Sequence, residues 1–203
     1  MSLLDIAPVI PVVVIDDPET AVPLARALLA GGLPAIEVTL RTAGALRAVE
    51  RIAAEVPGAV VGAGTVRTPA DVAAAVAAGA AFLVSPGSTA GLVDAMEGCG
   101  VPFLPGVATA SEALALAERG LTEMKFFPAE AAGGLPYLRA LGGPLPDVRF
   151  CPTGGIRPAT APDYLALPNV GCVGGTWLTP ADALATGDYA RIEKLAAEAA
   201  ALR

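Results

Sequence analysis

The sequence predicts an α/β chain of the small (β/α)8 TIM barrel class, read as one domain over residues 1–203 with a short helix at its N-terminus. Three observations carry this reading. Short apolar runs rich in β-branched residues recur along the chain, and a helical stretch follows each. The runs are apolar throughout rather than alternating, as strands are when helices cover a parallel sheet. There are eight such units, which favours closure into a barrel over the competing open, doubly wound sheet.

The elements follow in order. Residues 2–7 read as the leading helix. The first strand, Val9–Ile15, stops at Asp16-Asp17, and the helix Glu19–Ala30 ends at Gly31-Gly32. Glycine there is the residue type that closes helices. The second unit pairs Ala35–Leu40 with Ala43–Glu55, ended by Pro57-Gly58. The third pairs Ala59–Gly62 with Ala70–Ala78, ended by Gly79, and the fourth pairs Ala81–Val84 with Ala90–Gly98. Val101–Leu104 and Ala110–Arg119, closed by Gly120, make the fifth unit. Glu123–Phe127 is the sixth strand, with a short helix around Pro136–Leu141. Val148–Cys151 with Ala159–Leu167, and Val170–Gly174 with the charged helix Tyr189–Leu202, complete the series. At 203 residues the barrel is small, so its loops must be short.

Composition narrows the chemistry. The chain has no histidine, and its 13 basic residues are 11 arginines and two lysines, Lys125 and Lys194. Without imidazole there is no Ser-His-Asp triad, no His-ligated zinc and no histidine acid or base. Acid–base work falls to Glu, Asp, Lys, Tyr or Cys. The three cysteines, Cys99, Cys151 and Cys172, are an odd number without CxxC spacing. That fits a reducing cytoplasm and argues against a disulfide framework or a thiolate metal site. A net charge of −7 argues against a nucleic-acid partner. The longest apolar stretch, Val72–Val84, is shorter than the ~20 residues a membrane span needs. The N-terminus has no basic region ahead of its apolar run, so no signal peptide is expected.

In a barrel of this class the active site lies at the C-terminal ends of the strands. Lys125 is the most informative residue there. It interrupts the apolar run Met124-Lys125-Phe126-Phe127. Strand alternation puts Lys125 and Phe127 on one face and Met124 and Phe126 on the other. A lysine pointing into a barrel loses water, which disfavours the ammonium and favours the free amine that attacks a ketone. A lysine facing the helices, with its head snorkelling to water, is the alternative, and position alone does not choose.

Glu37 is second. Glu37, Thr39 and Arg41 share one face of the second strand, where polar groups are costly unless paired or wet. Two readings stand: a buried Glu37–Arg41 ion pair, or a proton-shuttling carboxylate beside an arginine that holds a substrate carboxylate. The third feature is a pair of glycine turns, Gly154-Gly155 after the seventh strand and Gly174-Gly175 after the eighth. Glycine lets backbone amides approach a ligand closely, Thr153 and Thr176 add hydroxyls, and this fold often places a phosphate at these strands. Gly62-Ala63-Gly64 is not a dinucleotide fingerprint, because that pattern needs glycine at Arg67.

Taken together, EVTLRT, VGAGTV, SPG, PGV, KFFPAE, CPTGGI and GGTWL resemble the strand-end motifs of the 2-dehydro-3-deoxy-6-phosphogluconate (KDPG) aldolases, a family that includes 4-hydroxy-2-oxoglutarate aldolases. The likeness runs in register over nearly the whole chain. It implies a cytoplasmic homotrimer of the Entner–Doudoroff pathway, a lyase that needs no cofactor and no metal. Its partners would be a phosphorylated 2-keto acid and pyruvate. The imine-forming lysine falls on Lys125 and the proton-transferring glutamate on Glu37. The arginine that helps hold the substrate carboxylate falls on Arg41. Thr65, Thr153, Phe127 and Pro86 fall on positions at the pyruvate end. Gly154, Gly155, Gly174 and Gly175 fall on the phosphate-binding glycines. One position departs: the family has Ser in the last motif, where this chain has Thr176, which keeps the hydroxyl and adds a methyl at the phosphate end.

Overall fold

The computed structural model describes residues 2–202. Strands and helices alternate over most of the chain, and every strand pair is parallel. The strands are β1 (Val9–Val13), β2 (Ala35–Thr39), β3 (Val60–Gly64), β4 (Phe82–Val84), β5 (Phe103–Leu104), β6 (Gly106–Val107), β7 (Glu123–Phe126), β8 (Arg149–Pro152) and β9 (Val173–Gly175). The helices are α1 (Ala21–Ala30), α2 (Ala45–Glu55), α3 (Pro69–Ala77), α4 (Ala90–Glu97), α5 (Ala110–Ala117), α6 (Gly134–Leu141), α7 (Ala161–Leu165), α8 (Ala181–Thr186) and α9 (Tyr189–Ala200).

Six strands form one sheet in the order β5-β4-β3-β2-β1-β9, and three form another, β6-β7-β8. Of the fifth expected strand, Val101–Leu104, only Phe103–Leu104 pairs, as β5; past Pro105, which can donate no ladder bond, Gly106–Val107 pairs as β6 in the other sheet. At the other seam, isolated bridges join Phe150 to Val170 and Thr153 to Gly174.

Two apolar layers follow from strand alternation. Val9, Val13, Ile36, Val38, Met124 and Phe126 face the helices. Ile10, Ala35, Phe82, Val84, Leu104, Cys151 and Cys172 form a second cluster inside the curve of the strands, joined by Leu3 and Leu4. Each large side chain buried there contributes about 1.5–3 kcal/mol. A Cβ at Gly62 would overlap the Phe82 ring, its partner across the ladder, so the glycine makes room for that ring.

Local rules explain most of the boundaries. Thr68 and Thr109 cap α3 and α5 in reciprocal capping boxes with Asp71 and Glu112. The Ala108 and Thr109 groups hold the Glu112 carboxyl below the usual range, with the Ala108 amide leading. The helix expected over residues 2–7 is a single 3-10 turn, Leu3–Asp5, capped by the Ser2 hydroxyl. Pro8 follows it and disfavours helix at Ala7. A helix the sequence reading did not assign, α8, starts after Pro180 and ends at Gly187, whose φ is 68°. No helix of the described residues is long and apolar enough to cross a membrane.

Candidate active site

Register determines which side chains meet. On β7, Lys125 lies between Gly106 and Cys151 of the flanking strands, and its neighbours Met124 and Phe126 pack outward. Lys125 therefore points inward. On β2, Glu37 lies between Val12 and Gly62 and also points inward. These strands are not neighbours in either sheet, yet Lys125 Nζ donates to Glu37 Oε1 at 3.0 Å. Both side chains are buried, 5% and 4% exposed. Gly64 makes this possible, because a Cβ there would overlap the Glu37 carboxylate.

Lys125 Nζ also lies 5.4 Å from the centroid of the Phe127 ring, within cation–π range. Below the pair is the apolar inner cluster that includes Cys151 and Leu104. The Cys151 sulfur is 3.8 Å from the Thr153 hydroxyl, and that hydroxyl donates to the Cys151 carbonyl at 3.4 Å.

The ion pair between Glu37 and Arg41, one of two readings of their spacing, is not the arrangement found: Glu37 pairs with Lys125. Arg41 lies just past the end of β2 and donates from Nε to the Thr65 hydroxyl at 3.2 Å. Thr65 has φ 58°, and among the described residues it is the non-glycine residue in the left-handed region. That conformation costs a branched residue about 1–3 kcal/mol and persists only where the surroundings impose it. Thr39, on the same face of β2, turns its hydroxyl to the Val13 carbonyl at 3.0 Å.

A cavity of about 210 Å³ opens above the pair. Lys125, Phe127 and Arg41 form one part of its wall. Thr153, Gly154, Gly155, Gly174 and Thr176 form the other. Gly154 and Gly155 have φ of 103° and 84°, a turn that side chains resist. Gly174 has no room for a Cβ because Thr153 fills that space.

Four expected residues, Glu37, Thr65, Pro86 and Gly175, do not line this wall, and Glu37 reaches the site through its bond to Lys125. Gly175 is covered by the Trp177 ring, and Pro86 lies at the end of β4 with its backbone against Gly106. Thr65 reaches the site through Arg41. Two wall residues, Val12 and Ile156, were not singled out from the sequence. Val12 is two residues past the inward Ile10, so alternation identifies it once β1 is known to face the site.

A larger cavity of about 450 Å³ lies beside the first, with Val12 and Thr176 in both walls. It is mainly apolar and contains no amine. The smaller cavity is the candidate site, because a buried amine, a carboxylate and an arginine converge there. Among the described residues no group of three or more His, Cys, Asp or Glu side chains is placed to hold a metal ion.

A family model described as KDPG and KHG aldolase matches residues 1–195. The "KHG/KDPG aldolase" of Escherichia coli strain K12 is 54% identical over 198 residues, covering 98% of this chain and 93% of that protein. A crystal structure of KDPG aldolase from Legionella pneumophila, with pyruvate captured at low pH as a covalent carbinolamine intermediate, superposes with a TM-score of 0.95. It is 46% identical and covers 97% of this chain and 96% of its own. The 2-keto-3-deoxy-6-phospho-gluconate aldolase of Zymomonas mobilis gives a TM-score of 0.93 at 50% identity, covering 98% and 95%.

Proposed function

The chain belongs to the KDPG and KHG aldolase family, and from that premise we propose that it is a class I aldolase, a lyase that cleaves KDPG to pyruvate and glyceraldehyde 3-phosphate through a Schiff base on Lys125. The observation that carries this reading is the buried Lys125–Glu37 pair at 3.0 Å beneath a cavity walled by an arginine and two glycine turns.

The steps follow from that geometry. Proton transfer from Lys125 to Glu37 across their hydrogen bond leaves a free amine, which attacks the carbon-2 ketone. Glu37 returns that proton to the carbinolamine hydroxyl, which leaves as water and gives an iminium, the electron sink for the bond between carbons 3 and 4. Glu37, directly or through a water, takes the carbon-4 hydroxyl proton, that bond breaks, and glyceraldehyde 3-phosphate leaves. Glu37 returns a proton to the pyruvate enamine, and hydrolysis frees pyruvate and Lys125. One carboxylate in hydrogen-bond reach serves each transfer in turn, so imidazole is not needed. The iminium fills the role a metal would have, and the reading calls for no metal and no cofactor.

At one end of the cavity Arg41, held by Thr65, meets the substrate carboxylate, with Phe127 and Thr153 shaping the pyruvate end and Pro86 set behind the wall. At the other, the amides of Gly154, Gly155 and Gly174 and the Thr176 hydroxyl meet the phosphate, with Gly175 behind them. The sheets are inferred to close as one eight-stranded barrel with its fifth strand interrupted at Pro105. The pairing of β1 with β9 and the Thr153–Gly174 bridge support closure. The single-domain reading is supported by the extent of the family match. A homotrimer and a place in the Entner–Doudoroff pathway rest on family resemblance, and a cytoplasmic location rests on that and on an odd number of cysteines without CxxC spacing.

Borohydride added in the presence of pyruvate should fix a covalent adduct on the peptide containing Lys125. An adduct on Lys194, or none, refutes the mechanism. The Escherichia coli relative's name joins two substrates, so a second reading is the same chemistry mainly on 4-hydroxy-2-oxoglutarate, or on the 6-phosphogalactonate epimer of KDPG. Steady-state constants for the three substrates decide between them.

A further inference from the structure

The last residue of the KFFPAE motif takes no part in the chemistry above, yet it lies against the phosphate-side turn. Glu130 N donates to the Gly154 carbonyl at 3.1 Å, and the preceding Ala129 N donates to the Thr153 carbonyl at 2.8 Å. The Glu130 stem fills the place where Gly155 would carry a side chain, with its Cγ and Cβ 2.6 and 2.8 Å from that position. The carboxylate then accepts a hydrogen bond of 2.6 Å from the Tyr164 hydroxyl on α7. Tyr164 is fully buried, and its hydroxyl also lies against Gly134 at the start of α6, 3.1 Å from where a Cβ would stand.

Gly155 is therefore glycine for a reason besides ligand approach: the Glu130 stem occupies its side-chain space. We propose that Glu130 and Tyr164 are positioning residues for the phosphate end of the substrate, a clamp that holds the Thr153–Gly155 turn in its ligand-binding shape. Tyr164 anchors the Glu130 carboxylate, the Glu130 stem presses on Gly155, and the backbone bonds of Ala129 and Glu130 secure the turn at Thr153 and Gly154. Without the anchor the stem is free to swing into solvent, since Glu130 is otherwise exposed. The turn then samples shapes in which its amides no longer converge. This inference rests on the reading that the glycine turn binds phosphate.

The test compares Glu130→Ala, Glu130→Gln and Tyr164→Phe with the parent in two assays. One is steady-state cleavage of KDPG. The other is exchange of the pyruvate methyl protons for deuterium, which needs Lys125 and Glu37 but no phosphate. Glu130→Ala should raise KM for KDPG by about tenfold or more, the scale of a small misplacement at a binding loop. Its pyruvate exchange should stay within about twofold of the parent. Tyr164→Phe should shift KM in the same direction. Glu130→Gln keeps an acceptor for the Tyr164 hydroxyl and should keep KM within about threefold, the range of one lost charge at the surface. An unchanged KM in Glu130→Ala overturns the clamp. So does a parallel loss of pyruvate exchange, or a Glu130→Gln variant as impaired as Glu130→Ala. A parent enzyme that handles KDPG and its phosphate-free analogue equally well would instead refute phosphate binding at the turn, and the clamp with it. A parent without pyruvate exchange would refute the Lys125 mechanism.

Discussion

Replacing Glu37 with glutamine separates its chemical role from its structural one. At 3.0 Å, the Lys125–Glu37 attraction is about 5 kcal/mol gross at an effective dielectric of ~20. Removing one partner of a buried pair costs about 3–5 kcal/mol, because the other charge is left uncompensated. Gln keeps an acceptor oxygen for the amine, which puts Glu37→Gln at the low end, about 3 kcal/mol. For a chain of this size that lowers Tm by about 6–12 °C, so the variant remains folded at room temperature. Turnover should fall much further, by about 10²–10⁴-fold, the usual contribution of a positioned acid–base group. Pyruvate release is read with lactate dehydrogenase, imine formation by borohydride trapping on Lys125, and folding by a thermal melt. The expected pattern is a large loss of kcat with pyruvate still trapped on Lys125. A kcat within tenfold of the parent would refute the shuttle. Loss of trapping together with a melt lowered well beyond 12 °C, about the upper end of that range, would return Glu37 to a structural partner.

Three further outcomes follow. Gly64→Ala places a methyl where the Glu37 carboxylate sits; kcat should fall at least about tenfold though no reacting group is altered, and an unchanged kcat would mean the pair can relocate freely. Tyr164 is held above the ordinary phenol range of 10.0, first by burial and then by Glu130. A raised folded-state value means its stabilisation is complete below pH 10 and is lost as pH rises above it. Denaturant melts should show Tyr164→Phe with a flatter alkaline decline than the parent, and identical slopes would contradict this. Thr176→Ser removes one methyl, worth about 1 kcal/mol at most, so KM for KDPG should move by less than about fivefold while its ratio to the constant for 4-hydroxy-2-oxoglutarate changes. A fixed ratio would place the methyl outside the phosphate end.

The repeating strand–helix order was legible because most units carry their own local signals: a branched apolar run and a glycine closing the helix. Long-range pairing was not. Alternation tells which of Met124, Lys125 and Phe126 share a face, but not which face turns inward, and only the closure of the sheet decides that. Glu37 and Arg41 share a strand face in sequence, yet Arg41 lies past the last ladder residue, where the chain is free to turn it to Thr65. Glu37 is then satisfied by a lysine 88 residues away on a strand that does not touch its own. The extra strand β6 beyond Pro105 and the helix α8 were missed for a different reason. Pro105, Pro180 and Gly187 mark them locally, but the surrounding runs are too short for periodicity to register.

The inner apolar cluster beneath Lys125 constrains the order of events. Leu3, Leu4, Ile10, Phe82 and Leu104 seal that end of the interior with side chains that bind no water and relay no proton. Substrate, departing aldehyde and the water that hydrolyses the imine must therefore all use the same doorway at the strand ends. While glyceraldehyde 3-phosphate occupies that doorway, hydrolysis has no supply. Cleavage should thus release its products in sequence, the aldehyde first and pyruvate second, and excess aldehyde should return the enamine to KDPG before water can hydrolyse the imine.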